Sequence, residues 1–322
     1  MLPTVLRRST NLAKQMLYNR GNLAHKRLYS TDNTEKHGNN RKEALLALNY
    51  RLEHVDSTVP EAVVKHPGLS YNDYDSNGQP KIWMIMKMLE SIRFFAHHYP
   101  LDDTGRTFRD YEQMTKDCLM FLVTSEFILS KGIYRPSPIT PWMKTSVKGG
   151  YVGKTSLNAS TEMRCENSGQ IMASNINQIV CVDKRSRRPM PLPLWWREKY
   201  SESGKKHKAL NINKFEIPDE TCIYHTNVAW SDTDLNLHAN WTAYARFAVD
   251  AAHHCYQNGA LQNFEDNFAN GIHKVQIYFY GESVQGDKLA VHVWEDKTDH
   301  RLLMVDIFNK GQSICQIKLF FH

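Results

Sequence analysis

The sequence predicts an α+β fold made of two similar halves, each a long helix wrapped by an antiparallel β-sheet. Three observations support this prediction: one polar pattern occurs twice, an apolar helical stripe follows each copy, and strand-like runs follow at hairpin spacing. The chain has 322 residues, 41% hydrophobic and 23% charged, which suits two domains of ordinary size. No apolar run approaches the roughly 20 residues of a membrane span, so no span is expected.

The repeated pattern begins at Tyr71 and again at Trp230. The two copies are Tyr71-Asn-Asp73-Tyr-Asp75-Ser-Asn77-Gly-Gln79 and Trp230-Ser-Asp232-Thr-Asp234-Leu-Asn236-Leu-His238. An aromatic residue, two aspartates and one asparagine therefore recur in register. Self-similarity at a fixed offset indicates that one structural unit has been duplicated.

A helix is expected to begin soon after each copy, near Pro80 in the first half and near Asn240 in the second. Proline suits the first turn of a helix because the amide hydrogen that it lacks would have no partner there. Apolar residues recur at i, i+3, i+4 and i+7 spacing in both segments, which places them on one helical face. These residues are Ile82, Ile85, Met86, Leu89, Ile92 and Phe95, and then Trp241, Tyr244, Ala245, Ala248, Ala251, Ala252 and Cys255.

Several runs of strand character follow each helix. Their separators are short and rich in Gly, Asn and Asp, which predicts antiparallel hairpins, because parallel strands need long crossover connections. The predicted strands are 118–129, 155–165 and 171–181 in the first half, and 274–280, 288–294, 302–308 and 314–321 in the second.

These patterns divide the chain into five segments. We predict a targeting peptide at 1–30, a polar segment at 31–59, a first domain at 60–198, a Lys-rich linker at 199–214 and a second domain at 215–322.

The segment at 1–31 contains six Lys or Arg side chains and no acid, and its apolar residues can share one side of a helix. This composition is typical of a mitochondrial transit peptide. Arg27-Leu28-Tyr29-Ser30 resembles a matrix-peptidase site, so we expect a mature start near Ser30 and a location in the mitochondrial matrix. A disordered basic tail is the alternative interpretation.

The charge of the remaining chain argues against nucleic-acid binding. Of 40 Lys and Arg residues, six lie in the acid-free front segment, which leaves 34 to balance the 34 Asp and Glu residues. A nucleic-acid module generally needs a standing basic surface, which a balanced body lacks. The six cysteines include no C-x-x-C and no short metal-ligand spacing, so neither a zinc site nor a disulfide framework is predicted, and no cofactor is expected.

A long helix wrapped by an antiparallel sheet, with polar residues just before the helix, resembles the hotdog fold. The tandem arrangement resembles the double-hotdog acyl-ACP thioesterases of plants and bacteria. The family's Asp-x-Asn-x-His element is matched by Asp234, Asn236 and His238, and Glu282 resembles a downstream Glu of the family's Glu-Cys pair. Ser283 stands in the Cys position, which leaves a thiol without a role at this site.

The resemblance implies an acyl thioesterase acting on thioesters of acyl carrier protein or coenzyme A. Asp234 would act as general base or nucleophile, Asn236 would orient the reacting group, and His238 would share proton transfer with Glu282. The start of the second helix would stabilise the developing oxyanion through its backbone N–H groups. The residues that follow the motif, Asn240, Trp241 and Tyr244, are expected to line the substrate site.

The first copy departs from the motif, because Gln79 stands where His238 does and Lys81 where Asn240 does. We expect that half to bind or scaffold. The basic cluster Arg185, Arg187 and Arg188 is either a dock for an acidic carrier protein or the phosphates of coenzyme A, or a solvated loop.

Three alternatives stay open. Asp, Asn and Ser before a helix are ordinary N-cap residues, so the motif taken alone also fits a capped turn. A non-enzymatic hotdog protein that binds an acyl chain or a protein partner is the second function, and an RNA- or ribosome-associated protein is the third. Acyl chain length, the carrier, the division of labour between the carboxylates, and the choice between monomer and homodimer are not determined by the sequence.

Overall fold

A computed structural model gives the structure of the protein for residues 43–44, 47–56, 59–134, 142–234 and 237–322. The predicted transit peptide and most of the polar segment at 31–59 lie outside the described residues, and so does Asn236. Within the described part of the chain, no helix is long and apolar enough to cross a membrane.

Eleven strands form one sheet that is antiparallel at every pairing. The strands are β1 (Arg51–Asp56), β2 (Glu61–His66), β3 (Cys118–Leu129), β4 (Met143–Val152), β5 (Ser156–Cys165), β6 (Ile171–Asp183), β7 (Cys222–Asn227), β8 (Ile272–Phe279), β9 (Lys288–Glu295), β10 (Leu302–Asn309) and β11 (Gln312–Phe321). Their order across the sheet is β1-β2-β4-β5-β6-β3-β8-β11-β10-β9-β7.

Five α-helices are described: α1 (Ile82–His98), α2 (Tyr111–Met114), α3 (Leu194–Gly204), α4 (Trp241–Gln257) and α5 (Phe264–Asn270). The two long ones, α1 and α4, have 17 residues each and begin close to the predicted starts. They contact each other, and each also packs on strands of its own half. Their apolar stripes contribute to a single hydrophobic core that draws residues from both halves, such as Ile85, Phe127, Phe247 and Val305.

The predicted sequence repeat is also a repeat of local structure. When the two copies of the motif are aligned, the start of α4 falls on the start of α1, and the 3₁₀ turn Trp230–Asp232 falls on Tyr71–Asp73. The loops between turn and helix share their backbone bonds: Asp75 N donates to Gln79 O at 2.8 Å, and Asp234 N donates to His238 O at 2.8 Å. Both loops also need a left-handed residue at one position, where Gly78 has φ +74° and Leu237 has φ +60°.

The sheet differs from the prediction, because the strands of the two halves join in one sheet. Strand β3 of the first half pairs with β8 of the second, from Thr124 opposite Tyr278 to Ile128 opposite Lys274. The predicted strands are present, and four others, β1, β2, β4 and β7, were not predicted. Strands β1, β2 and β7 are short, at 6 residues each, and polar side chains within them obscure the apolar–polar alternation in their sequences.

The predicted linker at 199–214 begins inside helix α3, so its first residues, up to Gly204, are helical. The residues after the helix run along the sheet and are held by side chains of its strands. Asn158 Nδ2 donates to Lys208 O at 2.8 Å, Thr124 Oγ1 donates to Leu210 O at 3.1 Å, and Leu210 N donates to Gln178 Oε1 at 3.0 Å. This segment is therefore an ordered cover on the sheet.

The prediction of no disulfide was wrong for one cysteine pair. A disulfide joins Cys222 on strand β7 to Cys255 in the last turn of helix α4. The two residues are 33 positions apart in the sequence, and such a spacing carries no signal until the fold brings the strand and the helix together.

Candidate functional site

The loop before helix α4 brings Asp234 and His238 together. The backbone of His238 accepts a hydrogen bond from Asp234 N at 2.8 Å, and Leu237 N donates to Asp234 O at 3.0 Å. The Asp234 carboxylate accepts a bond of 3.4 Å from His238 N. Because Leu237 is not glycine, its left-handed backbone stores strain, which is a frequent property of functional loops.

His238 pairs with Glu282, and the sequence predicted that these two residues would act together. Nδ1 of His238 lies 2.9 Å from Glu282 Oε2. The His238 side chain is 17% exposed and that of Glu282 is 44% exposed, so the pair is reachable from solvent. Because Nδ1 is bonded to the Glu282 carboxylate, Nε2 is the ring nitrogen left to exchange a proton with a ligand. Nε2 makes no hydrogen bond to the described residues.

Arg187 approaches the same carboxylate from the other side. Its Nη2 lies 3.5 Å from each oxygen of Glu282, and its guanidinium also lies over the ring of Phe121 at 4.6 Å. Burial raises the pKa of Glu282, but the hydrogen bond from His238 and the charges of His238 and Arg187 outweigh that effect and lower the pKa overall. Glu282 is therefore held as a carboxylate.

Ser283 and Tyr244 hold Glu282 in place. Tyr244 OH lies 2.9 Å from Ser283 Oγ and accepts a bond of 3.1 Å from Ser283 N. Ala239 N donates to Ser283 O at 2.8 Å, which ties the loop of His238 to the residue after Glu282. Ser283 is fully buried, so its hydroxyl serves packing and positioning.

Asn240 caps helix α4. Its side-chain oxygen accepts bonds from Thr242 N at 2.9 Å and Thr242 Oγ1 at 2.7 Å, and its Nδ2 donates to Glu90 on helix α1 at 3.0 Å. This is an N-cap geometry with an additional link between the two long helices. Asn240 thus positions the start of α4, and it is absent from the residues that line the neighbouring cavity.

A cavity of about 1390 Å³ opens beside the His238–Glu282 pair. Of the predicted site residues, the cavity is lined by Asp234, His238, Glu282, Trp241, Tyr244 and Arg187. Arg185 and Arg188 lie at an exposed turn outside it, although they are close to Arg187 in sequence. The structure therefore gathers six of the ten predicted residues around one space.

Trp241 brings an unexpected feature to the cavity. Its indole Nε1 is buried and has no hydrogen-bond partner among the described residues. The indole therefore offers an unused N–H donor in the lining that contains His238. The sequence predicted substrate contact for Trp241, but no sequence pattern could reveal that its donor would be left without a partner.

The corresponding loop of the first half borders a smaller cavity of about 530 Å³. Asp75 Oδ1 accepts bonds of 2.8 Å from Asn77 N and from Gln79 N, so this loop is closed by its aspartate as a turn. Gln79 Nε2 donates to Ala269 O at 3.4 Å. This loop thus retains the shape of the second copy without a histidine.

Metal ligation has no support in the described residues, where no group of three or more His, Cys, Asp and Glu side chains is placed to hold an ion. The chemistry available at this site is that of a histidine–carboxylate pair, a second carboxylate and N–H donors beside a cavity.

Comparison with solved structures shows what this fold is similar to. A 12:0-ACP thioesterase from Umbellularia californica aligns with a TM-score of 0.62 and 15% identity, covering 82% of this chain and 97% of that one. An acyl-ACP thioesterase from Bacteroides thetaiotaomicron aligns at 0.58 and 14%, covering 83% and 100%. A protein described as an oleoyl thioesterase from Lactobacillus plantarum aligns at 0.61 and 15%, covering 81% and 95%.

The similarity is one of fold, because these identities are low. No protein-family model matches the chain, and no curated protein matches it by sequence. The resemblance to hotdog thioesterases that the repeated motif predicted is confirmed at the level of the fold.

Proposed function

We propose that the protein is an acyl thioesterase that hydrolyses fatty acyl thioesters of acyl carrier protein or coenzyme A. The observation that carries the proposal is the 2.9 Å pairing of His238 Nδ1 with Glu282 beside a large cavity. A carboxylate on one ring nitrogen sets the tautomer and stabilises the imidazolium that forms when the other nitrogen takes a proton.

In this proposal His238 acts as general base through Nε2. It takes a proton from a water molecule that attacks the thioester carbonyl, and returns a proton to the leaving thiolate. Glu282 and Arg187 do not move protons themselves. Arg187 keeps Glu282 ionised, and the ionised Glu282 keeps the Nδ1 hydrogen of His238 in place.

Asp234 is proposed to have two roles, one in shaping the loop and one in the reaction. Its carboxylate accepts a hydrogen bond from His238 N, as the Asp75 carboxylate does from Gln79 N, so part of its role is to shape the loop. Its carboxylate also lines the cavity, which suits a base or a nucleophile. Asn236 is proposed to orient the reacting group, as its place in the motif implies.

Stabilisation of the oxyanion is proposed to come from the start of helix α4. Asn240 already accepts the N–H of Thr242 through its side chain and that of Ala243 through its carbonyl. Trp241 precedes both in the first turn, and its indole N–H, which has no partner among the described residues, is proposed as a further donor to the oxyanion. A donor that finds its partner only when charge develops on the carbonyl oxygen favours the transition state over the substrate.

We further propose that the two halves, residues 60–198 and 215–322, are tandem hotdog domains whose helices pair within one chain. The common offset that relates α1 to α4, and the loop before α1 to the loop before α4, supports this duplication. A tandem chain makes internally the pair that single hotdogs make by dimerising. A homodimer of the tandem chain is compatible with this arrangement.

The exposed turn that carries Arg185 and Arg188 is proposed as the dock for an acidic carrier protein or the phosphates of coenzyme A. It lies beside Arg187, which contacts Glu282, so a carrier bound here would deliver its thioester near His238. Replacing Arg185 and Arg188 by Gln should raise KM and leave kcat unchanged, and an unchanged KM would remove this role.

A mitochondrial matrix location is proposed from the composition of residues 1–31. N-terminal sequencing of the protein from its native source should return a start near Ser30. A fusion that lacks residues 1–31 and still enters mitochondria would contradict the proposal.

Release of free thiol from a panel of acyl thioesters by the purified protein tests the enzymatic function. Turnover of at least one acyl-ACP or acyl-CoA is expected. The second candidate, a non-enzymatic acyl-binding protein, is favoured by the size of the cavity alone, and it would be the better account if acyl chains bind while every thioester offered stays intact.

A further inference from the structure

A second group of polar side chains lines the large cavity away from the His238 loop. Arg109 is 5% exposed, and its Nε and Nη2 have no hydrogen-bond partner among the described residues. Arg93, on helix α1, is half-buried, and its buried Nη1 also has no hydrogen-bond partner among the described residues. Both residues line the cavity. Buried guanidinium donors are usually paired, so two unpaired ones at one cavity call for an explanation.

No carboxylate neutralises Arg109 in the described structure. The adjacent Asp110 is engaged by Lys199 Nζ at 2.6 Å and by Tyr200 OH at 2.8 Å. The guanidinium of Arg109 instead lies over the rings of Trp196 at 4.8 Å and Tyr200 at 5.4 Å. Burial lowers the pKa of Arg109 to about 10, so the side chain still carries its charge at neutral pH.

The backbone that holds Arg109 in this position is strained. Arg109 and Asp110 both have left-handed backbones, with φ of 58° and 48°, which non-glycine residues rarely adopt. Trp196 Nε1 donates to Arg109 O at 2.7 Å and fixes that conformation. A β-carbon on Gly149 would lie 2.7 Å from Cζ of Arg109, so only glycine leaves room for the guanidinium. Such strain is commonly retained where a side chain must be presented to a ligand.

The charges that line the cavity are unevenly distributed. Among the described residues its lining contains six Lys or Arg side chains and three acids, Glu90, Asp234 and Glu282. All three acids lie near the His238 loop, since Glu90 bonds to Asn240. Arg93 lies about one turn beyond Glu90 on α1, and His97 two turns beyond, roughly 10 Å along the helix.

Arg109 belongs to this remote end. The ring of His97 lies 5.4 Å from that of Phe108, the residue before Arg109, so Arg109 and Arg93 lie in the same neighbourhood. In keeping with this, burial lowers the pKa of His97 to about 3, and the charges of both Arg109 and Arg93 contribute to that shift. The remote end therefore contains two guanidinium groups, to which a methyl-terminated chain could offer no acceptor.

We propose that Arg109 and Arg93 form an anion subsite that binds a carboxylate or phosphate group of the molecule occupying the cavity. The inference rests on the proposed thioesterase function only for the identity of that molecule. A thioester held with its carbonyl at His238 would place the far end of its acyl chain at the subsite. We therefore favour an acyl chain that ends in a carboxylate, with the phosphate of a pantetheine arm as the other source of the same chemistry.

Binding of free acids to the full chain tests the subsite without any need for hydrolysis. Calorimetry would compare decanedioate with decanoate, and phosphopantetheine with pantetheine, on the wild type, on Arg109→Met and on Arg301→Met, an exposed arginine outside the cavity lining that serves as the matched control. We expect one dianionic or phosphorylated ligand to bind at least about tenfold more tightly than its partner, because charge-assisted bonds to a buried guanidinium are strong. That preference should disappear in Arg109→Met and persist in Arg301→Met.

The ligand pair in which the preference appears identifies the source of the anion: the two acids indicate a carboxylate, and the two pantetheine compounds indicate a phosphate. Equal dissociation constants within both pairs on the wild type, or a preference that survives Arg109→Met, would overturn the subsite. Should Arg109→Met fail to fold, Arg93→Met takes its place, and the wild-type comparison still decides. A wild type that discriminates between the acids yet hydrolyses no thioester would contradict the proposed function and leave the subsite supported.

Discussion

At the scale of single residues, the properties of Glu282 depend on the groups on either side of it. Arg187 and His238 both contact its carboxylate, and Ser283 and Tyr244 anchor the residue that follows it. Because the pair is already formed, the Glu282 carboxylate can stabilise a positively charged His238 without a large rearrangement when substrate binds.

Glu282→Gln should lower kcat by about ten- to a hundredfold, because the amide no longer stabilises the charged His238. The melting temperature should change little. Glu202→Gln, at an exposed position of α3, is the matched control and should behave as wild type. Full activity in Glu282→Gln would show that the carboxylate is dispensable.

Asp234→Asn separates a chemical role from a capping role. If the carboxylate takes part in the reaction, kcat should fall by roughly two orders of magnitude while folding is preserved. A role confined to shaping the loop would instead cost about 1 kcal/mol of stability with near-normal turnover. Asp75→Asn, in the equivalent loop of the first half, should show only the stability effect.

Residue identities were predictable from the sequence where the motif is continuous, as with Asp234 and His238. Glu282 was predicted only through the family resemblance, because helices α4 and α5 and strand β8 separate it from His238 and only the folded sheet brings the two together. The unpartnered donors of Trp241, Arg93 and Arg109 were not predictable, since whether a polar atom finds a partner depends on three-dimensional packing.

At the scale of secondary-structure elements, the edge strand β7 is held both by strand pairing and by a disulfide. It pairs with β9 along its length, and Cys222 on it is bonded to Cys255 on helix α4. The disulfide closes a loop that contains the turn Trp230–Asp232 and the whole His238 loop. The cross-link therefore restrains the segment that carries the candidate site.

Cys222→Ser should lower the free energy of unfolding by about 4 kcal/mol, because cross-links of this loop length restrict the unfolded chain by that order. Denaturant unfolding with and without reductant provides the measurement. Reductant should lower the stability of the wild type to that of the variant, and should leave the variant unchanged. A wild type insensitive to reductant, with the bond shown intact before treatment, would contradict the expectation.

The elements with strong periodicity were the predictable ones. Helices α1 and α4 and the second-half strands follow apolar patterns that one buried face imposes, and their observed bounds are close to the predicted ones. Helix α3 was missed because the Lys-rich composition at 199–214 indicated a linker, although Trp196 and Tyr200 anchor it on the sheet side. Tertiary contact here overrides weak local preference.

At the scale of the whole molecule, the sheet is continuous across the two halves. Strand β3 joins β8, and the segment at 205–216 lies along the sheet from one half to the other. The sequence patterns predicted the strands within each half, but they did not predict which strand of the first half would pair with a strand of the second. That pairing is set by backbone hydrogen bonds, which leave no mark in side-chain periodicity.

A fully buried aspartate near this cover should make stability depend on pH. Burial raises the pKa of Asp306 to about 6, against the bonds that it accepts from Ser313 and Gln316. Since the folded state binds a proton that the unfolded chain has released, this group's contribution favours folding most below pH 4 and declines as pH rises from about 4 to 6.

Urea unfolding of the wild type and of Asp306→Asn across that range measures the effect. The difference between the two proteins should shift against the wild type by up to about 3 kcal/mol as pH rises. Asp299→Asn, a surface variant, should keep the wild-type slope. Parallel curves for wild type and Asp306→Asn would contradict the assignment.

We propose that the His238–Glu282 pair hydrolyses thioesters and that the matching loop of the first half does not. The most direct test is the rate of thiol release from one acyl-CoA and one acyl-ACP by wild type, His238→Ala and Gln79→Ala, with melting temperatures measured on the same preparations. We predict a wild type that turns over, a loss of roughly a hundredfold or more in kcat for folded His238→Ala, and little change for Gln79→Ala. A folded His238→Ala protein with wild-type turnover, or an equal loss in Gln79→Ala, would contradict the account.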